Sequence, residues 1–122
     1  MQVIRILLGN HPIIIPDDLR RLVEQREDME IVADVHGPMK ILQDVGRSKA
    51  NAVVLSLTDS EEPGLCSQLL AVYPDLTILS VTSDLQLAFV QQMCSRRREL
   101  IVASPSMCVD ALRASVRNPC SE

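Results

Sequence analysis

The chain is poor in aromatic side chains and contains no tryptophan. Tyr73 and Phe89 are its only aromatic residues, whereas 47% of its residues are hydrophobic. The core must therefore be built from aliphatic side chains. A mainly aliphatic core is typical of parallel β-sheets, whose strands are buried on both faces and are rich in Val, Ile and Leu.

The chain also lacks an excess of basic charge and any long apolar run. Twelve basic and sixteen acidic residues give a net charge of −4, whereas nucleic-acid-binding domains carry a basic footprint. No apolar stretch approaches the roughly 20 residues that a membrane-spanning helix needs. The N-terminal MQVIRILLG has the pattern of a strand and not of a signal peptide. We therefore expect a cytoplasmic protein that binds neither nucleic acid nor membrane.

Closely spaced cysteines are absent as well. The four cysteines are Cys66, Cys94, Cys108 and Cys120, and no two of them form a C-x-x-C pair. Zinc sites and thioredoxin-type sites depend on such pairs, so we expect no metal, no cofactor and reduced thiols. No Ser or Cys has a His placed to serve as its base, and we therefore predict that the protein is not an enzyme.

What the chain does contain is a regular alternation of strand-length apolar runs with segments of helical period. Five such βα units predict a parallel sheet, and right-handed crossovers favour the flavodoxin-like strand order 2-1-3-4-5. We predict an α/β fold, a flavodoxin-like (βα)5 three-layer sandwich, over residues 1–118, with a short tail at 119–122. The predicted strands are Val3–Leu8, Glu30–Val35, Ala52–Leu57, Leu76–Val81 and Leu100–Ala103, and the predicted helices are Pro16–Glu27, Pro38–Ser48, Gly64–Tyr73, Asp84–Ser95 and Pro105–Val116.

This strand order also predicts where a site would lie. In open α/β sheets the ligand crevice lies outside the carboxyl ends of the strands, here strands one and three. The crevice is then lined by Gly9, Asn10 and the edge Ser56–Asp59. A nucleotide site is not expected, because GNHP contains a single glycine and phosphate-binding loops are glycine-rich.

Five segments, in their order and spacing, resemble a response-regulator receiver domain of the CheY-like family. They are RILLGNHP, LRRLVEQREDMEIVADV, NAVVLSL, YPDLTILSVTS and SPSMCVDALRASV. The resemblance covers nearly all of the chain and is closest to the branch that precedes helix-turn-helix output domains. It implies a role in two-component signalling, with regulation of transcription through a separate output domain.

The resemblance also implies a phosphorylation pocket, and in this chain the pocket is degenerate. Such receivers accept a phosphoryl group on an aspartate at the end of strand three. This aspartate and an acidic pair after strand one bind Mg²⁺. A Ser or Thr after strand four and a Lys after strand five contact the phosphoryl group. In this chain the aspartate position falls on Ser56, and the acidic pair falls on Gly9 and Asn10. The Ser or Thr position falls on Thr82 and the Lys position on Ile101, so only Thr82 keeps the residue type. Mg²⁺ prefers carboxylate ligands and phosphoryl transfer needs charge stabilisation, so we expect neither metal binding nor aspartyl phosphorylation.

Other interpretations of these positions stay open at this point. A shift of one residue would put Leu57 in the place of Ser56, and Asp59 could turn into the crevice, although without its supporting lysine and acids. Ser56 is either the target of a Ser/Thr kinase or an ordinary polar cap. His11 is either a proton carrier or a turn residue, and Thr82 is either a remnant switch or a plain strand end.

A receiver that is not phosphorylated is expected to act as a protein–protein interaction or dimerisation module. The predicted partner surface lies on the fourth helix, fifth strand and fifth helix, and comprises Gln92, Arg96, Arg97, Arg98 and Arg113. Arginines bind carboxylates in bidentate fashion, which favours an acidic partner.

Two alternatives accompany this prediction. A homodimer could form through the first and last helices, along a seam of Leu19, Val23, Val109 and Val116. The uncharged crevice could instead bind a small or redox-active molecule, with Cys94 or Cys108 as a thiol reporter.

Overall fold

The structure is a computed structural model, which describes residues 3–10, 14–57, 63–82, 88–93, 95–99 and 105–117. Its elements are β1 (Ile4–Asn10), α1 (Asp17–Gln25), β2 (Met29–His36), α2 (Pro38–Ser48), β3 (Ala52–Leu57), α3 (Pro63–Val72), β4 (Thr77–Thr82), β5 (Ala88–Gln92), β6 (Ser95–Glu99) and α4 (Pro105–Arg117). Within these ranges, no helix has the length and apolar character required to cross a membrane.

The strands form one sheet in the order β2-β1-β3-β4-β5-β6. Strands β1 to β4 pair in parallel, whereas β5 runs antiparallel to β4, and β6 antiparallel to β5. The predicted flavodoxin-like order 2-1-3-4-5 is therefore confirmed. The prediction of a fully parallel sheet is wrong beyond β4.

The segment that differs most from prediction is Ala88–Gln92, which is a strand and not part of a helix over Asp84–Ser95. Its side chains alternate between buried and half-buried, the period of a strand. In a helix over this range Val90 and Met93, three residues apart, would share a face, but Val90 is buried and Met93 is 59% exposed. A short segment can fit both periods, and pairing with β4 decides for the strand because it satisfies the backbone groups of β4. The predicted strand Leu100–Ala103 lies outside the described residues.

Helices cover both faces of the sheet, which confirms the predicted three layers. Buried residues of α1 and α4 pack on one face, and buried residues of α2 and α3 pack on the other. Each helix buries apolar side chains against the sheet: Leu19 and Val23 of α1, Ile41 and Val45 of α2, Leu69 and Leu70 of α3, and Cys108 and Leu112 of α4. Amphipathic helical periodicity is sufficient to predict these contacts.

The contact between α1 and α4 uses the side chains that were expected to form a dimer seam. Leu19, Val23 and Val109 are completely buried in the core of the chain, and Val116 packs against the same core. Leu19, Val23 and Val109 therefore cannot form the predicted seam, because helices α1 and α4 bury them against each other and the sheet, whereas Val116 is half-buried.

A β-bulge in β2 determines which way the end of that strand faces. Ile6 of β1 pairs with Ile31, but the next residue of β1 pairs with Ala33, so Val32 is the extra residue. Ile31 accordingly packs in the α1 and α4 core, and Ala33 packs in the α2 and α3 core. Without the bulge these two residues would share a face. Bulges commonly redirect side chains in this way, and this one turns Asp34 to the α1 side.

Candidate functional site

The carboxyl ends of β1, β3 and β4 bring the predicted crevice residues to one edge of the sheet. Gly9 and Asn10 end β1, Ser56 lies one residue before the end of β3, and Thr82 ends β4. These strands are neighbours in the sheet, so this part of the prediction is correct. Ile101 lies outside the described residues, as do His11 and Asp59.

Hydrocarbon fills the space beside Gly9. A Cβ atom added at this position would lie 2.6 Å from Cδ2 of Leu55 and 2.9 Å from Cδ1 of Ile41, and both of these side chains are buried. Real Cβ contacts are longer, so any side chain at position 9 must displace these two. The place where the receiver resemblance puts a carboxylate is thus packed with apolar groups.

Asn10 is only 5% exposed, and its polar atoms are bound within the chain. Its Nδ2 donates to Oδ1 of Asp34 at 2.6 Å and to the carbonyl oxygen of Val35 at 3.0 Å. Its Oδ1 accepts from the backbone N–H of Ile15 at 2.9 Å and from Nη2 of Arg20 at 3.3 Å. An asparagine amide has two N–H donors and one carbonyl acceptor, and here each has a partner.

Arg20 and Asp34 complete a three-residue cluster with Asn10. Nη1 of Arg20 donates to Oδ2 of Asp34 and forms an ion pair with it. The side chains of Arg20 and Asp34 are 21% and 42% exposed. This Asn10–Asp34–Arg20 cluster joins β1, β2 and α1 at the crevice and gives the Asp34 carboxylate a counter-charge.

The sequence prediction missed Arg20 and Asp34. Asp34 interrupts an otherwise apolar stretch of β2, IVADV, and a charge inside an apolar strand is a signal that can be read. Arg20 carries no comparable signal, since arginines on helix surfaces are common. Arg20 and Asp34 form their ion pair because the bulge in β2 turns Asp34 toward α1.

Ser56 is less accessible than a reactive group in an open crevice would be. Ser56 is 5% exposed, and Thr82 is half-buried. Burial of Ser56 disfavours its interpretation as an accessible kinase target. It equally disfavours a solvated polar cap, since 95% of this residue is covered.

The described residues do not fit the magnesium ion that the receiver resemblance implies. Mg²⁺ requires a near-octahedral set of oxygen ligands, usually with one or two carboxylates. Gly9 has no side-chain oxygen, Oδ1 of Asn10 is already an acceptor for two donors, and Asp34 is paired with Arg20. Among the described residues, no group of three or more His, Cys, Asp or Glu side chains could hold a metal ion.

A second carboxylate cluster lies at the amino end of the sheet. Asp28 precedes β2 and is 7% exposed. Nε of Arg113 lies 2.6 Å from Oδ2 of Asp28, and Nη2 of Arg117 donates to the same oxygen at 2.8 Å. Burial alone would raise the pKa of Asp28, but the hydrogen bond and charge of Arg113, with the charge of Arg117, outweigh it and lower the pKa below its ordinary value.

Two residues of the predicted partner surface are used inside the chain. Arg113 is bound to Asp28, and its side chain is 27% exposed. Gln92 is buried, and its Nε2 donates to Oγ1 of Thr77 at 2.9 Å and to the carbonyl oxygen of Ser115 at 2.8 Å. The assignment of Gln92 to an exposed surface is therefore wrong, because Gln92 belongs to a strand that faces α4. Arg96, Arg97 and Arg98 lie in β6, and their side chains are outside the described part.

The two described thiols are buried. Burial raises the pKa of Cys66, against the opposing effect of its contact with Ser80, and burial also raises the pKa of Cys108. The thiolate is the reactive form of cysteine. Cys108 is completely buried, which disfavours its predicted role as a thiol reporter. Cys94 lies outside the described residues.

Two solved structures share this architecture. The signal receiver domain of the response regulator NarL from Mycobacterium tuberculosis matches with a TM-score of 0.68, covering 97% of this chain and 99% of that chain at 11% sequence identity. The chain has the receiver fold. A two-component response regulator of the LuxR family from Aurantimonas sp. SI85-9A1 matches with a TM-score of 0.55 and 24% identity over 66% of this chain.

The match to the LuxR-family structure spans 59% of that chain's length. The sequence matches no protein-family model and no curated protein. At these identities the likeness establishes the receiver fold, and function must be argued from the site.

Proposed function

We propose that this domain is a receiver of two-component-type signal transduction that works without aspartyl phosphorylation. In this proposal it acts as a protein–protein interaction or dimerisation module and controls transcription through a separate output domain. The observation that carries the proposal is the packing and hydrogen bonding of the two residues that end β1. Leu55 and Ile41 fill the space beside Gly9, and the polar atoms of Asn10 are bound to residues of the same chain.

The charge balance of the crevice supports the proposal. Several carboxylates in one cleft repel one another unless a cation joins them. Here the two first-strand positions are uncharged, and Arg20 neutralises Asp34. The crevice therefore needs no ion to stay folded, and a single stable conformation suits a module that binds its partner constitutively.

The partner surface of this proposal is centred on Arg96, Arg97 and Arg98 of β6, because Gln92 and Arg113 are bound within the chain. Three adjacent arginines favour an acidic partner. A sedimentation measurement of molecular mass separates the two modes of action. A monomer favours a separate partner protein, and a dimer favours self-association.

Titration with Mg²⁺ and beryllofluoride, followed by amide NMR, tests the absence of phosphorylation chemistry. We expect no saturable shift at the amides of Asn10 and Ser56, and no phosphoryl adduct by intact-mass measurement after incubation with acetyl phosphate. The Ser56→Asp variant is the matched control within this chain. It restores an acceptor carboxylate but not the first-strand acids, so we expect it to remain unmodified.

A receiver that retains its aspartate, treated in parallel, shows that the reagents are active. Saturable shifts confined to the crevice of the wild-type protein would contradict the proposal.

The alternative of a ligand-sensing or redox-sensing domain is not favoured by any described residue. The crevice beside Gly9 is packed, and the Cys108 thiol is buried with a raised pKa. A co-purifying chromophore, visible in the absorbance spectrum of the purified protein, would restore this alternative.

A further inference from the structure

The carbonyl group of Ser115 lies in the last turn of α4 and has no ordinary helical donor. An α-helix bonds each carbonyl to the N–H four residues further on, and the residue four positions after Ser115 is Pro119. Proline has no backbone N–H. Ser115 is only 5% exposed, and a buried carbonyl without a partner costs free energy. The end of α4 therefore needs a donor from outside the α-helical pattern.

Gln92 supplies this donor from strand β5. Its Nε2 donates to the carbonyl oxygen of Ser115 at 2.8 Å and to Oγ1 of Thr77 in β4 at 2.9 Å. A glutamine amide has two N–H donors, and both are used here. Gln92 is 8% exposed, so water competes little for either bond. One side chain thus joins β4, β5 and the last turn of α4.

Gln92 also belongs to the hairpin formed by β5 and β6. It pairs with Ser95 of β6, and Ser95 is followed by the three arginines at the centre of the proposed partner surface. Arg117, at the same end of α4, is bound to Asp28, so the helix is held independently of the hairpin. A displacement of the hairpin would therefore draw the amide of Gln92 away from the carbonyl of Ser115.

We propose that Gln92 couples the β5–β6 hairpin to the last turn of α4, so that an acidic partner bound at the hairpin stabilises that turn. The inference deepens the proposed function and rests on its partner surface, Arg96, Arg97 and Arg98. Gln92 is a positioning residue. A partner that holds the hairpin in place also holds the amide of Gln92 on the carbonyl of Ser115.

Two variants separate this bond from a general effect of substitution. Gln92→Met keeps the length of the side chain and removes both N–H donors. Gln91→Met is the matched control, since Gln91 is the preceding residue of β5, is half-buried and points to the opposite face of the sheet. The readout is hydrogen exchange at the Val116 amide, in the last turn of α4, compared with the Leu112 amide one turn earlier.

We expect Gln92→Met to speed exchange at Val116 relative to Leu112 by about tenfold, the effect of losing a buried hydrogen bond at a helix end. Gln91→Met should leave this ratio unchanged. Opening of the last turn alone raises exchange at Val116, whereas a general loss of stability raises exchange at both amides.

The coupling is tested with hexaglutamate as the acidic partner. Shifts of the β6 amides, measured by NMR, show that the peptide binds. In the wild-type protein, saturation with hexaglutamate should slow exchange at Val116 relative to Leu112 by about fivefold, the lower end of coupling effects between two sites. In Gln92→Met the β6 shifts should remain and the slowing should be absent. The wild-type measurement tests the coupling even if the variant does not fold.

Unchanged exchange at Val116 in Gln92→Met would overturn the proposal. Binding of hexaglutamate at β6 without slower exchange at Val116 would overturn it too, and so would equal slowing in the wild type and in Gln92→Met. Absence of the β6 shifts would instead contradict the partner surface of the proposed function. The β6 shifts and the exchange at Val116 therefore distinguish the two failures.

Discussion

At the carboxyl end of the sheet Asp34 meets one arginine and an asparagine, whereas at the amino end Asp28 meets two arginines. The Asp34 side chain is 42% exposed, and the Asp28 side chain is 10% exposed. The first cluster joins β1, β2 and α1, and the second joins the turn before β2 to α4. Both are carboxylate–arginine clusters, but they differ in burial and in position relative to the crevice.

The carboxyl group with the shifted pKa is not the one at the crevice. A perturbed carboxyl pKa often indicates an active site, although structural ion pairs perturb pKa values as well. The pKa of Asp28 is lowered by Arg113 and Arg117 against the effect of burial, yet Asp28 lies at the end of the sheet away from the crevice. We therefore interpret Asp28 as a structural residue and assign the candidate site to the cluster around Asn10.

The largest expected effect comes from placing an acid at the carboxyl end of β1. Gly9→Asp should lower the free energy of unfolding by about 3 kcal/mol, because its side chain must displace Leu55 and Ile41 and its charge enters an apolar space. Urea unfolding measures this loss. Gly9→Ala is the control and should cost about 1 kcal/mol, since only the ends of two flexible side chains must yield. If Gly9→Asp is as stable as the wild type, the crevice is open and the comparison of the two ends fails.

The second effect compares the two clusters directly. Asp28→Asn should lower the free energy of unfolding by about 2 kcal/mol, because it removes the buried carboxylate that pairs with Arg113 and Arg117 and leaves Arg113 only its ion pair with the exposed Asp110; solvent around the arginines moderates the loss. Asp34→Asn should cost less than about 1 kcal/mol, since Asp34 is more exposed and its ion pair is more screened. Urea unfolding of both variants at neutral pH measures the contrast. Equal losses would show that burial does not distinguish the clusters.

The smallest effect is the pH dependence of stability that Asp28 contributes. Its pKa is lower in the folded than in the unfolded protein, where a value of about 3.9 is expected. The unfolded state therefore binds more protons in this range, and stability rises with pH. The contribution is complete above the unfolded pKa and is lost as the pH falls through the lower folded pKa.

Urea midpoints measured from neutral pH down to acid test this dependence. The urea midpoint should fall less steeply with decreasing pH in Asp28→Asn than in the wild type. Parallel curves for the two proteins would remove Asp28 as the cause.

Local patterns in the sequence were sufficient for most of the fold up to β4. The bounds predicted for α2 and β3, Pro38–Ser48 and Ala52–Leu57, are those of the structure, because their apolar spacing and flanking residues agree on one period. The prediction failed at Ala88–Gln92, where a short segment with apolar residues fits both a helix and a strand. No local feature decides such a case, since the decisive contact is with β4.

The position of the candidate site was predictable from the sequence, but the side chains that bind Asn10 were not. Gly9, Asn10 and Ser56 were placed at the carboxyl edge by strand order alone, and the structure puts them there. The partners of Asn10 were not predictable, because Arg20 and Asp34 come from other elements. Their approach follows from packing between α1 and the sheet.

Residue types and short periods along the sequence determined the aliphatic core, the order of the first four strands and the uncharged residues Gly9, Asn10 and Ser56 at the ends of β1 and β3. These depend on residue type and on periods of a few residues, which can be read along the chain. The tertiary structure alone decided that the bulge at Val32 turns Asp34 toward Asn10, that Leu55 fills the space beside Gly9 and that β5 runs antiparallel to β4. Each of these is a contact between residues distant in sequence, whose energy depends on register and packing and not on local propensity.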